Sequence, residues 1–275
     1  MTSKANDADL VIPTQDEFAS LAFDVMDCFF KVHNEIGRFC DEKIYKREVA
    51  KRFGGIRLEL PITLTHREYR KTYFADMLIR RCAIFEVKAV EVLAPRHRAQ
   101  ALNDLLLTEL PHGKLLNVRT QLVQHEFVNS TLRLHDRTQF RVEDELFVAV
   151  GSQDVAWKEW LTAAIQDWGT GLDMQLYNDG LTEFLGGEDL VLRDLAIIIN
   201  GEYVGDQKGH HCGERVLFKI TTLPDDLNAF ELHARRFLAH TALDAVQWVN
   251  INRDLVSFRT LWRRSGLAEM NALRG

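Results

Sequence analysis

The stretch Ala83-Ile84-Phe85-Glu86-Val87-Lys88-Ala89 decides how this 275-residue chain is read. Its apolar run suits a central strand, and Glu86 and Lys88, two residues apart, project from the same face of that strand. Extended stretches near Arg57–Thr65 and Arg67–Ile79 precede it. A helix from about Arg96 to Thr108 follows, and strands near Lys114–Val118 and Leu122–Phe127 close the unit. Upstream, Phe18, Leu21, Ala22, Val25, Met26 and Phe29 recur at helical spacing and mark a helix running to about Ile36. Glu42–Phe53 reads as a second helix. The resulting α-β-β-β-α-β order predicts an α/β unit, a sheet with helices packed on it.

The same pattern recurs in the second half. Ile44-Tyr45 through Phe53-Gly54-Gly55 resembles Leu176-Tyr177 through Leu185-Gly186-Gly187 at an offset of 132 (177 − 45), both reading as a helix closed by glycines. Phe85-Glu86-Val87-Lys88 aligns with Phe218-Lys219-Ile220-Thr221 at an offset of 133 (218 − 85). Asn117 meets Asn250 at the same offset, and Leu122-Val123 meets Leu255-Val256. Two tandem αβββαβ units are therefore expected, over residues 15–140 and 150–275. Thr138–Ser152 is the expected linker. Trp157, Trp160 and Trp168 read as core of the second unit, and His33 as a surface residue of the first helix.

Composition narrows the class. Hydrophobic residues make up 46% and charged residues 27% of the chain, which argues against long disorder and against a fibrous fold. No run approaches the roughly 18 apolar residues of a membrane span, and Met1–Asp9 lacks the apolar core of a secretory signal. Cys28, Cys40, Cys82 and Cys212 show neither disulfide nor metal-ligand spacing, which suits reduced thiols in a cytoplasm. The net charge of −6 is unevenly placed. Residues 1–150 carry 22 basic and 22 acidic side chains, and residues 151–275 carry 12 and 18. Residues 21–140 alone hold 20 against 15, an excess of five positive charges that can face an anionic partner.

Chemistry-bearing residues concentrate in the first unit. Asp76 lies ten residues before Glu86, near the end of the preceding hairpin strand, and can reach the same place. Adjacent carboxylates repel unless a cation lies between them, and a hard divalent ion such as Mg²⁺ is the natural one. Lys88 beside that ion could orient or deprotonate a water for attack on a phosphodiester. The basic series Lys43, Lys46, Arg47, Lys51 and Arg52 flanks Glu42 and reads as an outward, phosphate-contacting helix face.

Four segments then carry a resemblance: Val32 to Tyr45 (V-H-N-E-I-G-R-F-C-D-E-K-I-Y), Phe74 to Ile79 (F-A-D-M-L-I), Ile84 to Val90 (I-F-E-V-K-A-V) and His97 to Asn103 (H-R-A-Q-A-L-N). In this order and spacing they resemble the PD-(D/E)XK nuclease superfamily, and within it the bacterial family named for its GxxExxY motif. Glu42 and Tyr45 fall on that motif's Glu and Tyr, while its glycine is Phe39 here. The resemblance implies an α/β nuclease core in which Glu42, Asp76 and Glu86 hold Mg²⁺ (or Mn²⁺). It implies that Lys88 serves the water and that Gln100 approaches the site from the helix, giving a catalytic pair. Related members carry Tyr four residues after that Gln, where this chain has Asp104. Lys43, Tyr45, Lys46 and Arg47 are the residues expected to meet nucleic acid.

The second unit lacks this set. Glu42 corresponds to Met174, Glu86 to Lys219, Lys88 to Thr221 and Gln100 to His233, and Asp76 falls near Gly209 or His210. It is expected to be a degenerate copy. The function expected is a Mg²⁺-dependent nuclease or nuclease-like DNA-processing protein, cytoplasmic, with nucleic acid (DNA) and no membrane as partner. The alternative is a non-catalytic nucleic-acid or protein-binding module that retains the nuclease fold.

Overall fold

The computed structural model describes residues 4–5 and 9–263, and the chain divides into two units, residues 1–136 and 137–275. Strand β1 (Lys4–Ala5) opens the first. Helix α1 (Gln15–Ile36) begins at a reciprocal cap, in which Thr14 Oγ1 accepts from the Glu17 amide and Glu17 Oε2 accepts from the Thr14 amide. Its periodic apolar face, Phe18 to Phe29, is buried. Helix α2 (Glu42–Arg52), the hairpin β2 (Ile56–His66) and β3 (Tyr69–Ile79), strand β4 (Ala83–Lys88), helix α3 (Pro95–Thr108) and strands β5 (His112–Asn117) and β6 (Gln124–Asn129) complete the core. These elements fall within about two residues of the expected ones. A short helix α4 (Leu134–Arg137) follows.

The six strands lie in the order β1-β2-β3-β4-β5-β6. Every pairing is antiparallel except β4 with β5, which are parallel because α3 carries the chain back across the sheet. Phe85 and Val87 of β4 face α1 and α2 in the apolar core, and the alternate residue, Glu86, is buried on the other face. Helix α3 lies close on the sheet at Gly113: a Cβ there would stand 2.7 Å from the Ile84 carbonyl oxygen and 3.1 Å from Leu105. His33 is buried, not a surface residue, because its ring stacks on Tyr45 and its Nε2 contacts the Thr120 carbonyl at 3.2 Å.

The second unit runs β7 (Arg141–Leu146), α5 (Asp154–Trp168), α6 (Met174–Phe184), α7 (Glu188–Val191), β8 (Leu192–Ile199), β9 (Glu202–His210), β10 (Val216–Thr221), α8 (Leu227–Ala239), β11 (Ala245–Ile251) and β12 (Leu255–Trp262). The expected linker is thus partly a strand. β7 pairs in parallel with β12 at the edge of a four-stranded sheet, β10-β11-β12-β7. Trp157, Trp160 and Trp168 are buried as expected.

The two sheets share their registers. Each pairing of β4 with β5, from Ile84↔Gly113 to Lys88↔Asn117, recurs 133 residues later between β10 and β11, from Leu217↔Val246 to Thr221↔Asn250. The antiparallel pairings of β5 with β6 recur likewise between β11 and β12. Two side-chain devices repeat as well. The Tyr45 hydroxyl donates to the Gly37 carbonyl, and the Tyr177 hydroxyl to the Gly169 carbonyl. Both glycines close a preceding helix at positive φ, 70° and 79°, a region that disfavours other residues. The Asn117 amide bonds both the N–H and the C=O of Val90, and the Asn250 amide does the same at Leu223. The units do not agree strand for strand: β7 beside β12 and β1 beside β2 have no counterpart among the described residues of the other unit. β8 and β9 form a separate hairpin, whereas β2 and β3 continue into the sheet through β4.

Each buried Asn satisfies a loop amide and carbonyl that have no ladder partner, so truncation orphans both. Asn117→Ala and Asn250→Ala should each lower unfolding free energy by about 1–3 kcal/mol, as measured by urea denaturation.

Candidate active site

The polar side chains of the first unit gather where β3, β4, α2 and α3 meet. Asp76 on β3 is buried, and its Oδ2 accepts from the Val87 amide at 2.9 Å, which ties it to the strand carrying Glu86. Glu86 is fully buried, and its Oε1 accepts from Lys88 Nζ at 2.5 Å. Lys88 Nζ also donates to Gln100 Oε1 at 3.0 Å, which joins α3 to β4. Glu42 stands half-buried in the first turn of α2. Burial and then the Asp76 charge push its carboxyl above the ordinary range, while Lys88 and Lys46 pull it back.

Two assignments on α2 are corrected. Lys46 is not on a solvated face: it is 4% exposed, with Nζ 2.6 Å from Asp76 Oδ1 and 2.6 Å from Glu59 Oε1. Tyr45 is fully buried, with its hydroxyl turned to Gly37, and has no surface to offer a nucleic acid. The reason is helical periodicity. Glu42, Tyr45, Lys46 and Val49 follow the i, i+3, i+4, i+7 stripe that packs inward. Lys43 and Arg47 lie off that stripe and are exposed.

Two further residues enter the site. Glu59 on β2 falls opposite Asp76 in the hairpin register, where regular pairing lapses between Leu58↔Met77 and Leu60↔Ala75. Its φ of 51° is a strained conformation for a non-glycine residue. The signal for it was the hairpin turn, which sets every β2–β3 partner once its centre is known. Asp104, one helical turn after Gln100 on α3, is buried and close enough to Glu86 for that carboxylate to raise its pKa.

Burial dominates the electrostatics. It pushes Glu86 up to about 7, with the Asp76 charge adding to the shift and Lys88 opposing it. It drives Asp104 well above the usual carboxylate range, with Glu86 and Asp76 adding to the shift. Glu86 Oε2 and Asp104 Oδ2 are buried oxygens without a hydrogen-bond partner. Such oxygens need a proton or a cation. Among the described residues no three His, Cys, Asp or Glu side chains are arranged as a metal cluster, and at Asp76 the positive charge comes from Lys46. The donor set, carboxylate oxygens only with two of them orphaned, nonetheless suits a hard cation in its chemistry.

Residues 19–129 match the model of the PD-(D/E)XK nuclease superfamily. The matched span runs from within α1 to the end of β6, and so contains Glu42, Asp76, Glu86, Lys88, Gln100 and Asp104. No curated protein and no solved structure matches the chain. The superfamily match supports a nuclease-type function for the first unit and a nucleic acid as its substrate. No helix among the described residues is long and apolar enough to cross a membrane.

Two outcomes test this electrostatic arrangement. Lys46→Met leaves the buried Asp76 charge without its counter-ion and should cost about 3 kcal/mol of stability, whereas Arg47→Ala, at an exposed position, should cost almost nothing. Chemical denaturation in EDTA distinguishes them. Glu86, raised to about 7 from an ordinary 4.5, binds its proton more tightly folded than unfolded. Its stabilising contribution is complete below 4.5 and is lost as pH rises through about 7. Glu86→Gln should therefore gain on the wild type in melting temperature across that window, when both are scanned without metal.

Proposed function

We propose that the first unit is a divalent-metal-dependent nuclease of the GxxExxY type acting on DNA in a cytoplasmic setting. The observation that carries this reading is the continuous contact from Gln100 through Lys88 to the buried Glu86, with Asp76 tied to the same strand by the Val87 amide. Glu42, Asp76 and Glu86 would hold Mg²⁺ (or Mn²⁺). When bound, that ion supplies positive charge against the phosphate and lowers the pKa of a water.

The chain's own residues do the remaining work. Lys88, fixed between Glu86 and Gln100, holds its ammonium at the edge of the acidic set, where it would donate a hydrogen bond that orients the attacking water. Gln100 keeps Lys88 from swinging out to solvent. Asp76 is paired with Lys46 through Oδ1 and with the Val87 amide through Oδ2, so Lys46 would have to give way for Asp76 to help hold the ion. Lys43 and Arg47, exposed on α2, are the residues left to meet phosphate. All four cysteines are free, which agrees with a reducing compartment.

We also propose that the second unit is a degenerate tandem duplicate of the first. The shared 133-residue register of the three-strand core, the two Tyr–Gly bonds and the two Asn clamps support this.

One observation favours a second reading, a non-catalytic nucleic-acid or protein-binding module that retains the fold. Lys46 already neutralises Asp76. The two readings separate on a panel of linear, circular, single- and double-stranded DNA and RNA with Mg²⁺ or Mn²⁺. The nuclease reading expects metal-dependent cleavage that drops at least a hundredfold in Asp76→Asn and in Lys88→Ala. Metal binding, followed by calorimetry, should be lost in Asp76→Asn and retained in Lys88→Ala. Nucleic-acid binding without cleavage by the wild type would establish the second reading instead.

A further inference from the structure

The second unit contains an open cavity of about 310 Å³ lined by residues of β9, β10, β11 and α8. Its chemistry is carried by Lys208, His210, Lys219, Phe230, His233 and Phe237. By the shared register, Lys219 stands where the first unit has Glu86 (86 + 133). His233 and Phe237 stand where it has Gln100 (100 + 133) and Asp104 (104 + 133). The cavity thus occupies the position of the acidic site with its charge inverted.

No Asp or Glu contributes to its wall, although residues 151–275 carry 18 acidic against 12 basic side chains. Lys208 and Lys219 have no carboxylate partner among the described residues. Asp194, across the hairpin from Lys208, forms no ion pair with it. Burial and the Lys219 charge hold His210 below the ordinary imidazole range, with Asp179 and Glu188 opposing. At neutral pH His210 is therefore a neutral ring that can both donate and accept a hydrogen bond. Phe230, stacked on the buried Trp248 at 4.4 Å between ring centroids, is held as a fixed aromatic wall.

Two ammonium groups without an ion-pair partner among the described residues favour an anion such as a phosphate, and the phenyl rings favour a flat aromatic body. A cavity of this size, at the lower end of the roughly 300–1,000 Å³ range of ligand pockets, takes one such molecule and not a strand. We propose that this cavity binds a nucleoside monophosphate, its phosphate on Lys208 and Lys219 and its base against Phe230 and Phe237. The inference stands on the second unit alone and is independent of the nuclease reading.

The test is isothermal titration of the full chain in EDTA with AMP, GMP, CMP and UMP, with the corresponding nucleosides and with inorganic phosphate. Saturable binding of at least one nucleotide to one site is expected, at least tenfold tighter than its nucleoside and than phosphate. Lys219→Glu, at an exposed position, should weaken it at least tenfold. His233→Ala, also exposed, should weaken it measurably. Glu86→Gln, in the other unit, should leave the nucleotide affinity unchanged. Circular dichroism of each variant establishes that it is folded. Absence of binding at millimolar nucleotide would overturn the proposal. So would affinity for phosphate equal to that for nucleotide, or binding that survives Lys219→Glu.

Discussion

A carboxylate with no exposed surface, placed in the middle of the central strand, sets the terms for the whole first unit. Glu86 cannot turn outward, because β4 is covered on both faces: by α1 and α2 behind Phe85 and Val87, and by α3 in front. Burying that charge is costly unless it is paired or protonated. Each neighbour answers this cost. Lys88 reaches back to Glu86 from two residues along the strand, Gln100 braces Lys88 from α3, and Asp76 borrows an amide of the same strand. The parallel β4–β5 pairing makes this possible, since only a crossover helix puts Gln100 and Asp104 over the strand.

A second positive charge is placed with equal care. Lys46 brings an ammonium into the same region from α2 and bridges Asp76 to Glu59, whose backbone is bent into a left-handed conformation at that point. Strain of this kind persists only where its surroundings enforce it, and Glu59 sits where the β2–β3 pairing lapses between Leu58↔Met77 and Leu60↔Ala75. The site therefore carries its own cation at Asp76, while Glu86 Oε2 and Asp104 Oδ2 stay without a donor. The two halves of the acidic set are unequal: one is neutralised by the chain and the other awaits a proton or an ion.

Much of this was legible in the sequence, and the misreadings have physical causes. The helices of the first unit were readable because Phe18 to Phe29 keep a helical period on α1 and because Gly37, Gly54-Gly55 and Pro95 mark helix ends. Lys46 was misread because a run of basic residues on a helix suggests a solvated face. The stripe of Glu42, Tyr45 and Val49 points the other way, and Lys46 sits on it. Glu59 emerges only by counting back from the hairpin turn at Arg67-Glu68, which sets the β2–β3 register. Arg141–Leu146 reads as linker because its sequence, Arg-Val-Glu-Asp-Glu-Leu, is polar and its strand pairing comes from a parallel neighbour more than 100 residues away. The detachment of β8–β9 follows no local signal that we can identify.

The position shared by Asp104 and Phe237 shows how one helix site can decide what a sheet of this design does. In the first unit an acid there lies against the buried Glu86, and the pair accumulates negative charge that must be met by a proton or a cation. In the second unit the same helix position carries an aromatic ring, and the strand position below it carries an exposed lysine. With no buried carboxylate to compensate, α8 has no need of a bracing amide or of a partner for it. The space between helix and sheet can then be lined by apolar rings and left open. Exchanging a buried acid for a phenyl ring on the helix and a cation on the strand turns a cation-seeking arrangement into an anion-seeking one, while the backbone register beneath it stays the same.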